Sequence, residues 1–308
     1  MLKKSALKKI FISLSCLLIL GILYLFPSKE EPIKSTITNK KATNIIYLID
    51  SNNYISRVST ILTSETKQDK IKEIINILTI DSNNYIREGF SKIIPKNTKL
   101  LNVSIEDNLV KLNFSKELLN IDKSNEEKMI ESIVYSITSL ENIEYVSIYV
   151  EGNILSKLPN SNKRLDTILD RTIGINKEFN ITSLDNTTKT TIYYISKYND
   201  YYYYTPVTKY TNDTISKIEI IIKELTSNKM LNTNLMSYLN SNTELLSYNE
   251  TDKTLLLNFN ENILNDINTN NILEEVTYSI NLSIKENYDI NEVLYYVNDK
   301  IITTFSIK

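Results

Sequence analysis

The chain of 308 residues contains no histidine, no tryptophan and one cysteine, Cys16. Each absence removes a class of chemistry. Without histidine there is no imidazole base for a Ser-His-Asp or Cys-His nucleophile. Zinc and the transition metals lose their usual ligand set as well. Glycine occurs only four times, and neither GxGxxG nor GxxxxGK[ST] is present, so no phosphate-cradling loop is expected. The charges nearly cancel, 35 Lys+Arg against 37 Asp+Glu for a net of -2. Beyond the first nine residues no cationic block offers the counterion release on which nucleic-acid binding draws, and no nucleic acid is expected among the partners.

Carboxylate-only catalysis, as in glycosidases, is the route that this composition leaves open. The acid pairs Glu126-Glu127 and Glu274-Glu275 fall at the starts of expected helices, where the macrodipole already accounts for negative charge. No catalytic, cofactor-binding or metal-binding residue is therefore assigned, no cofactor is expected, and the chain is read as not an enzyme. Hydrophobic residues at 42% and charged ones at 23% are those of a folded protein.

The N-terminus carries a membrane signal. Lys3, Lys4, Lys8 and Lys9 precede an uncharged run from Ile10 to Phe26, about the shortest length that spans a hydrocarbon core. Lysines before such a run predict a cytoplasmic N-terminus, with residues 27–308 extracytoplasmic. A cleaved signal peptide has a similar shape, but no small-x-small site closes the run, and Ser13 stands where a lipobox before Cys16 would carry leucine. An uncleaved single-pass signal anchor is the favoured reading. The exported part then has no cysteine and is held by its cores alone.

After a polar tether the sequence repeats itself. TKLLNVSIEDNLVKLNF from Thr98 returns as TELLSYNETDKTLLLNF from Thr243. KIKEIINILT from Lys70 returns as KIEIIIKELT from Lys217, IESIVYSI from Ile130 as LEEVTYSI from Leu273, and IEYVSIYVEG from Ile143 as INEVLYYVND from Ile290. One module has been duplicated. Each copy opens with a hairpin: NIIYLI and YISRVSTIL around DSNN in copy one, TIYYIS and YYYYTPVTKYT around KYND in copy two. Ile71, Ile74, Ile75 and Leu78, matched by Ile218, Ile221, Ile222 and Leu225, give one stripe of an amphipathic helix. A second hairpin follows, with Val110, Leu112 and Phe114, or Leu255, Leu257 and Phe259, on one face. A second helix is expected from Ser124, whose spacing to Glu127 is that of a capping box; it buries Ile130, Ile133, Ile137 and Leu140. Leu273, Val276 and Ile280 repeat that face behind caps offered by residues 268–271. Val146, Ile148 and Val150, or Val293, Tyr295 and Val297, mark a closing strand.

The order β-β-α-β-β-α-β predicts an α+β sandwich with two helices on one face of a mostly antiparallel sheet, built twice after an N-terminal transmembrane helix. The organisation read from the chain is a cytoplasmic tip and anchor at 1–26 and a tether at 27–42. Domain one follows at 43–155, a structured connector at 156–189 and domain two at 190–308. The run YNDYYYYTPVTKYT, 198–211, falls in the second strand of a hairpin. Cross-strand packing is favoured there over a ligand platform.

At these residues the chain resembles the GerMN domain of the GerM family, the sporulation and spore-germination proteins. Ile94 to Leu101 (IPKNTKLL), Leu112 to Ser115 (LNFS), Ile133 to Thr138 (IVYSIT), Tyr204 to Lys209 (YTPVTK) and Asp170 to Asn176 (DRTIGIN) carry the resemblance, which covers nearly all of 43–308. Asn240 departs from it, standing where copy one has Pro95. The resemblance implies a non-catalytic envelope module whose partners are envelope or sporulation-complex proteins; the apolar run at residues 10–26 separately gives the expected contact with the membrane. The alternative is a module that binds cell-wall peptidoglycan.

Overall fold

The computed structural model describes residues 43–227, 234–266 and 270–306; the expected anchor at 10–26 lies outside them. Among the described residues no helix is long and apolar enough to cross a membrane. Residues 42–308 form one compact unit.

In copy one, β1 (Thr43–Asp50) and β2 (Ile55–Ile61) form the opening hairpin, and α1 (Lys67–Leu78) and the short β3 (Phe90–Ser91) follow. Next come β4 (Leu100–Glu106), β5 (Leu109–Phe114), α2 (Glu126–Ile137), β6 (Tyr145–Val150) and β7 (Asn153–Ile154). The connector contributes β8 (Glu178–Asn180). Copy two runs β9 (Thr188–Tyr198), β10 (Tyr201–Thr211), α3 (Lys217–Leu225), β11 (Leu245–Thr251), β12 (Thr254–Phe259), α4 (Glu274–Asn287), β13 (Glu292–Val297) and β14 (Lys300–Ser306). The element order matches the sequence expectation, and each closing strand adds an antiparallel partner, β7 or β14.

The sheets divide differently from the expectation of one per copy. The hairpin β4-β5 and strands β6-β7 make a four-stranded sheet, and β11 to β14 make its counterpart. In both, the closing strand runs parallel to the hairpin strand, β5 with β6 and β12 with β13. A helix lies between those strands in the chain, which is the crossover that a parallel pair requires. The opening hairpins leave their own copies and combine in a six-stranded sheet ordered β3-β1-β2-β10, with β8 and β9 both paired to β10. Antiparallel alternation alone could not reveal this, because β2 finishes its pairing on the other copy.

The apolar stripes face inward as the periodicity requires. Ile71, Ile74, Ile75 and Leu78 of α1, and Ile218, Ile221, Ile222 and Leu225 of α3, are all buried. So are Val110, Leu112 and Phe114 of β5 and Leu255, Leu257 and Phe259 of β12. Two apolar cores result, one per copy. Helix α2 touches β1 and β2 of the shared sheet and β6 of copy one's own sheet.

The helix starts differ in detail. Helix α2 begins at Glu126 behind Asn125, with no side-chain cap; Ser124 builds no capping box. Glu127 is taken instead by Lys163 and Lys177. Leu273 is the N-cap of α4 and likewise gives no side-chain bond; residues 267–269 lie outside the described set. The reciprocal capping box occurs at α3, between Ser216 and Glu219.

The repeat register also shifts by one helical turn. Aligning IESIVYSI with LEEVTYSI matches Ser136 to Ser279. In the structure the Tyr47 amide donates to Ser136 Oγ across 89 residues (2.9 Å), and the Tyr193 amide donates to Ser283 Oγ across 90 (2.9 Å). Ser283 is thus the partner of Ser136. The same serine letters recur four residues apart, so string similarity slides by a turn at little cost to the apolar stripe.

Candidate functional site

The place where the two copies meet gathers a cluster of buried polar groups, among them Asp50, Ser56, Glu131, Ser196 and Thr205. The second strands of the opening hairpins approach antiparallel, Tyr204 of β10 opposite Arg57 of β2. Pro206 has no N–H to donate, which interrupts a ladder. The connector supplies the missing partner. Asn176 accepts from the Ile55 amide at 2.8 Å, and its side-chain nitrogen donates to Ile55 O at 2.8 Å and to Pro206 O at 2.7 Å. Its backbone amide donates to Glu131 Oε2, and the adjacent Lys177 pairs with Glu131. One side chain therefore hydrogen-bonds both copies.

Below that seam lies a chain of buried hydroxyls. Ser56 Oγ donates to Asp50 Oδ2 at 2.9 Å and lies 2.6 Å from Thr205 Oγ1, which is 2.9 Å from Ser196 Oγ. Asp50 also accepts from the amides of Asn52 and Tyr54 and from the Tyr203 hydroxyl. Burial, then the Asp50 carboxylate, raise the Tyr203 phenol above its ordinary value.

On the helix side Arg171 is the hub. Its Nη1 donates to Glu286 at 2.7 Å, Nε to Thr138 Oγ1, and Nη2 to Tyr135 O and Ser139 Oγ. The guanidinium lies 4.8 Å from the Tyr135 ring centre, close enough for cation–π attraction. Glu286 also accepts from the Tyr193 hydroxyl, which is 2.9 Å from that of Tyr47. Copy one, the connector and copy two share this network.

The tyrosine run is part of the seam. Tyr203 is 2% exposed, belongs to the core of copy one and packs edge-on to Phe90 at 4.8 Å. Tyr201 stacks on Tyr203 at 5.9 Å, and Tyr204 tilts against Tyr278 at 5.1 Å. In return Tyr54, from the hairpin of copy one, packs on the core of copy two. Each such pair adds about 0.5–1.5 kcal/mol beyond its burial. The cross-strand reading holds for this stretch along its hairpin partner β9, and Tyr201 and Tyr203 also reach Phe90 of the other copy.

The acid pairs do not converge. Glu126 is buried and accepts from the amides of Asn160 and Ser161, each at 2.9 Å. Burial works to raise its pKa, and those donors outweigh it, so the carboxyl is held below its ordinary value. Glu274 is exposed. Among the described residues no group of three or more His, Cys, Asp or Glu could hold a metal ion. Sequence reasoning placed Arg171 and Asn176 in the segment that carries the resemblance but gave them no role, and passed over the serines of α2 and α4. The available signal was a pair of serines four apart on an apolar helix face, Ser132 with Ser136 and Ser279 with Ser283, a placement that reads as buried polar groups awaiting partners.

The geometry defines a duplicated α+β module whose copies join through a common sheet, an aromatic seam and a hydrogen-bonded connector. Comparison with known proteins shows what a module of that class is similar to. The Germane family, described as sporulation and spore germination, matches residues 45–156. The spore germination protein GerM of Bacillus subtilis (strain 168) is 28% identical over 280 residues, covering 88% of this chain and 76% of that protein. The solved tandem GerMN domains of the sporulation protein GerM from Bacillus subtilis superpose with a TM-score of 0.77 at 27% identity, covering 84% of this chain and 92% of that one. The chain thus carries a match to the Germane family over residues 45–156 and is similar over most of its length to the tandem GerMN domains of the GerM family.

Proposed function

We propose that this chain acts in sporulation or spore germination as a membrane-anchored, non-catalytic module to which envelope or sporulation-complex proteins dock. The roles of these relatives in sporulation and spore germination support the process. The observation that carries the docking is strand β11, LLSYNET. Among the described residues it is an edge strand paired only to β12, and six of its seven residues are exposed. Leu246 and Tyr248 stand out from it as large exposed apolar side chains. Its counterpart β4 buries Val103 and has Val103 O bonded by the Gln68 side chain of α1. A bare edge with apolar anchors fits an extended segment of a partner protein added as a further strand.

The lysine-flanked run Ile10 to Phe26 motivates the anchor. Crosslinking in sporulating cells followed by mass spectrometry tests the docking. Partner peptides linked through Lys253, beside β11 at the head of β12, are expected, and they should disappear in Leu246→Asp/Tyr248→Lys. A deletion strain that sporulates, germinates and localises its envelope complexes normally overturns the reading.

A second reading, binding of cell-wall peptidoglycan, is favoured by one surface. Arg87 lies 3.9 Å over the Tyr201 ring beside the almost fully exposed Tyr85, lining an open cavity of about 400 Å³. Retention of the chain on purified peptidoglycan, lost in Tyr85→Ala, would replace the docking reading with this one.

A further inference from the structure

A second, larger groove of about 860 Å³ runs between the copies. Thr138, Glu144 and Tyr145 line it from copy one, Asp170 to Thr172 from the connector, and Lys189, Lys217 and residues 285–289 from copy two. Its charges are unevenly committed. Glu286 is held by Arg171 and Tyr193, Asp170 accepts from the Thr172 amide at 2.7 Å, Glu144 accepts from the Asn108 side chain, and Asp289 pairs with Lys253 at 2.9 Å. Every acid of the groove therefore has a donor.

Two of its lysines, Lys189 and Lys217, are served less well. Lys189 makes no ion pair among the described residues and spends one of its three N–H donors on Thr172 O. Lys217, the first residue of α3, has no hydrogen-bond or ion-pair partner among the described residues. Burial pushes the Lys189 ammonium below its ordinary value; Asp170 and Glu286 oppose that shift, and Lys217 adds to it. Two mutually repelling ammonium groups with spare donors favour the arrival of an anion between them.

We propose that this groove binds the free carboxylate of a short peptide, held by Lys189 and Lys217. The volume is that of a site for a small ligand. A monoanionic carboxylate suits it better than a dianionic phosphate, because Glu144, Asp170 and Glu286 line the same walls and repel a second negative charge. Those carboxylates retain lone pairs for peptide N–H groups. Neither Lys189 nor Lys217 belongs to β11, so their variants leave the exposed side chains of that edge unchanged.

The test is calorimetric titration of the full-length chain in detergent with tetra-alanine as free acid, tetra-alanine amide and inorganic phosphate, all at millimolar concentration. The free acid is expected to bind saturably, and the amide at least tenfold more weakly. Lys189→Gln and Lys217→Gln should each weaken the acid about tenfold, close to 1.4 kcal/mol, while the distant Lys72→Gln does not. Lys189 also holds the connector, so melting curves accompany each variant. Should Lys189→Gln unfold, Lys217→Gln, which breaks no bond, carries the test. Equal binding of acid and amide, unchanged binding in Lys217→Gln, or tighter binding of phosphate than of the peptide overturns the proposal.

Discussion

Glu126 shows what one buried side chain contributes. Both its oxygens accept backbone amides of the connector, so the carboxylate fastens the turn at Asn160 and Ser161 to the first turn of α2. An amide side chain has one accepting oxygen and would set its own NH2 against an N–H. Glu126→Gln is therefore expected to lose about 2 kcal/mol, the scale of a hydrogen bond to a charged group, as a lower midpoint in urea with an unchanged slope.

The same donors set the acid limb of stability. For Glu126, Glu127 and Glu73, burial acts to raise the pKa and is outweighed: by Ser161 and Asn160 for the first, by Lys163 and Lys177 for the second, by Thr63 and Ser64 for the third. All three end below the ordinary value of 4.5. The unfolded chain then takes up protons first as pH falls, so their stabilisation is complete above 4.5 and is lost as pH drops through the lowered values. Glu131 opposes this in part. Burial raises its carboxyl, so its contribution declines as pH rises past 4.5. Unfolding midpoints followed down the acid limb should fall, and should fall less steeply in Glu126→Gln.

At the scale of elements, edge strands need covers, and side chains supply them here. Strand β9 is covered by α4: Ser283 takes the Tyr193 amide, and Asn287 both accepts from the Thr191 amide and donates to Thr191 O. Strand β1 receives Ser136 and Ser132 from α2 in the same way. Between β2 and β10 the cover is Asn176. Asn176→Ala is expected to leave the Ile55 amide and two carbonyls without partners in a half-buried seam, at a cost of about 2–3 kcal/mol. Hydrogen exchange should show faster opening of the Ile55 amide; unaltered protection there would remove Asn176 from this role.

Gly89 fixes another contact between elements. Its φ is +86°, and an added Cβ would fall inside the Tyr198 ring from the tip of the other copy's hairpin. Such a backbone conformation is strained for any other residue. This glycine and the Arg87–Tyr201 stack place the loop after α1 against the turn of β9-β10, a join between copies that no local pattern announces.

At the scale of the whole molecule the two cores are interdependent, because each hairpin lends aromatic side chains to the other copy. Tyr203→Ala changes a residue of copy two and empties a place in the core of copy one. The expected loss is about 3–5 kcal/mol, that of an aromatic removed from a core. Exchange protection on β1 and β3 should fall with it. Loss of protection confined to β9 to β14 would mean that the copies unfold independently.

The sequence by itself determined the duplication, the order of elements and the inward stripes of helices and strands, since periodicity of 3.6 or 2 is written residue by residue and survives divergence. It also determined what chemistry is missing, because a chain without histidine cannot fold one into place. Tertiary structure decided which edges pair. Backbone donors and acceptors are identical at every residue, so nothing in YYYYTPVTKYT states that β10 lies beside β2 of the other copy. It decided, too, that Asn176 and Arg171 of the connector become the fasteners, a role set by where the chain returns in space.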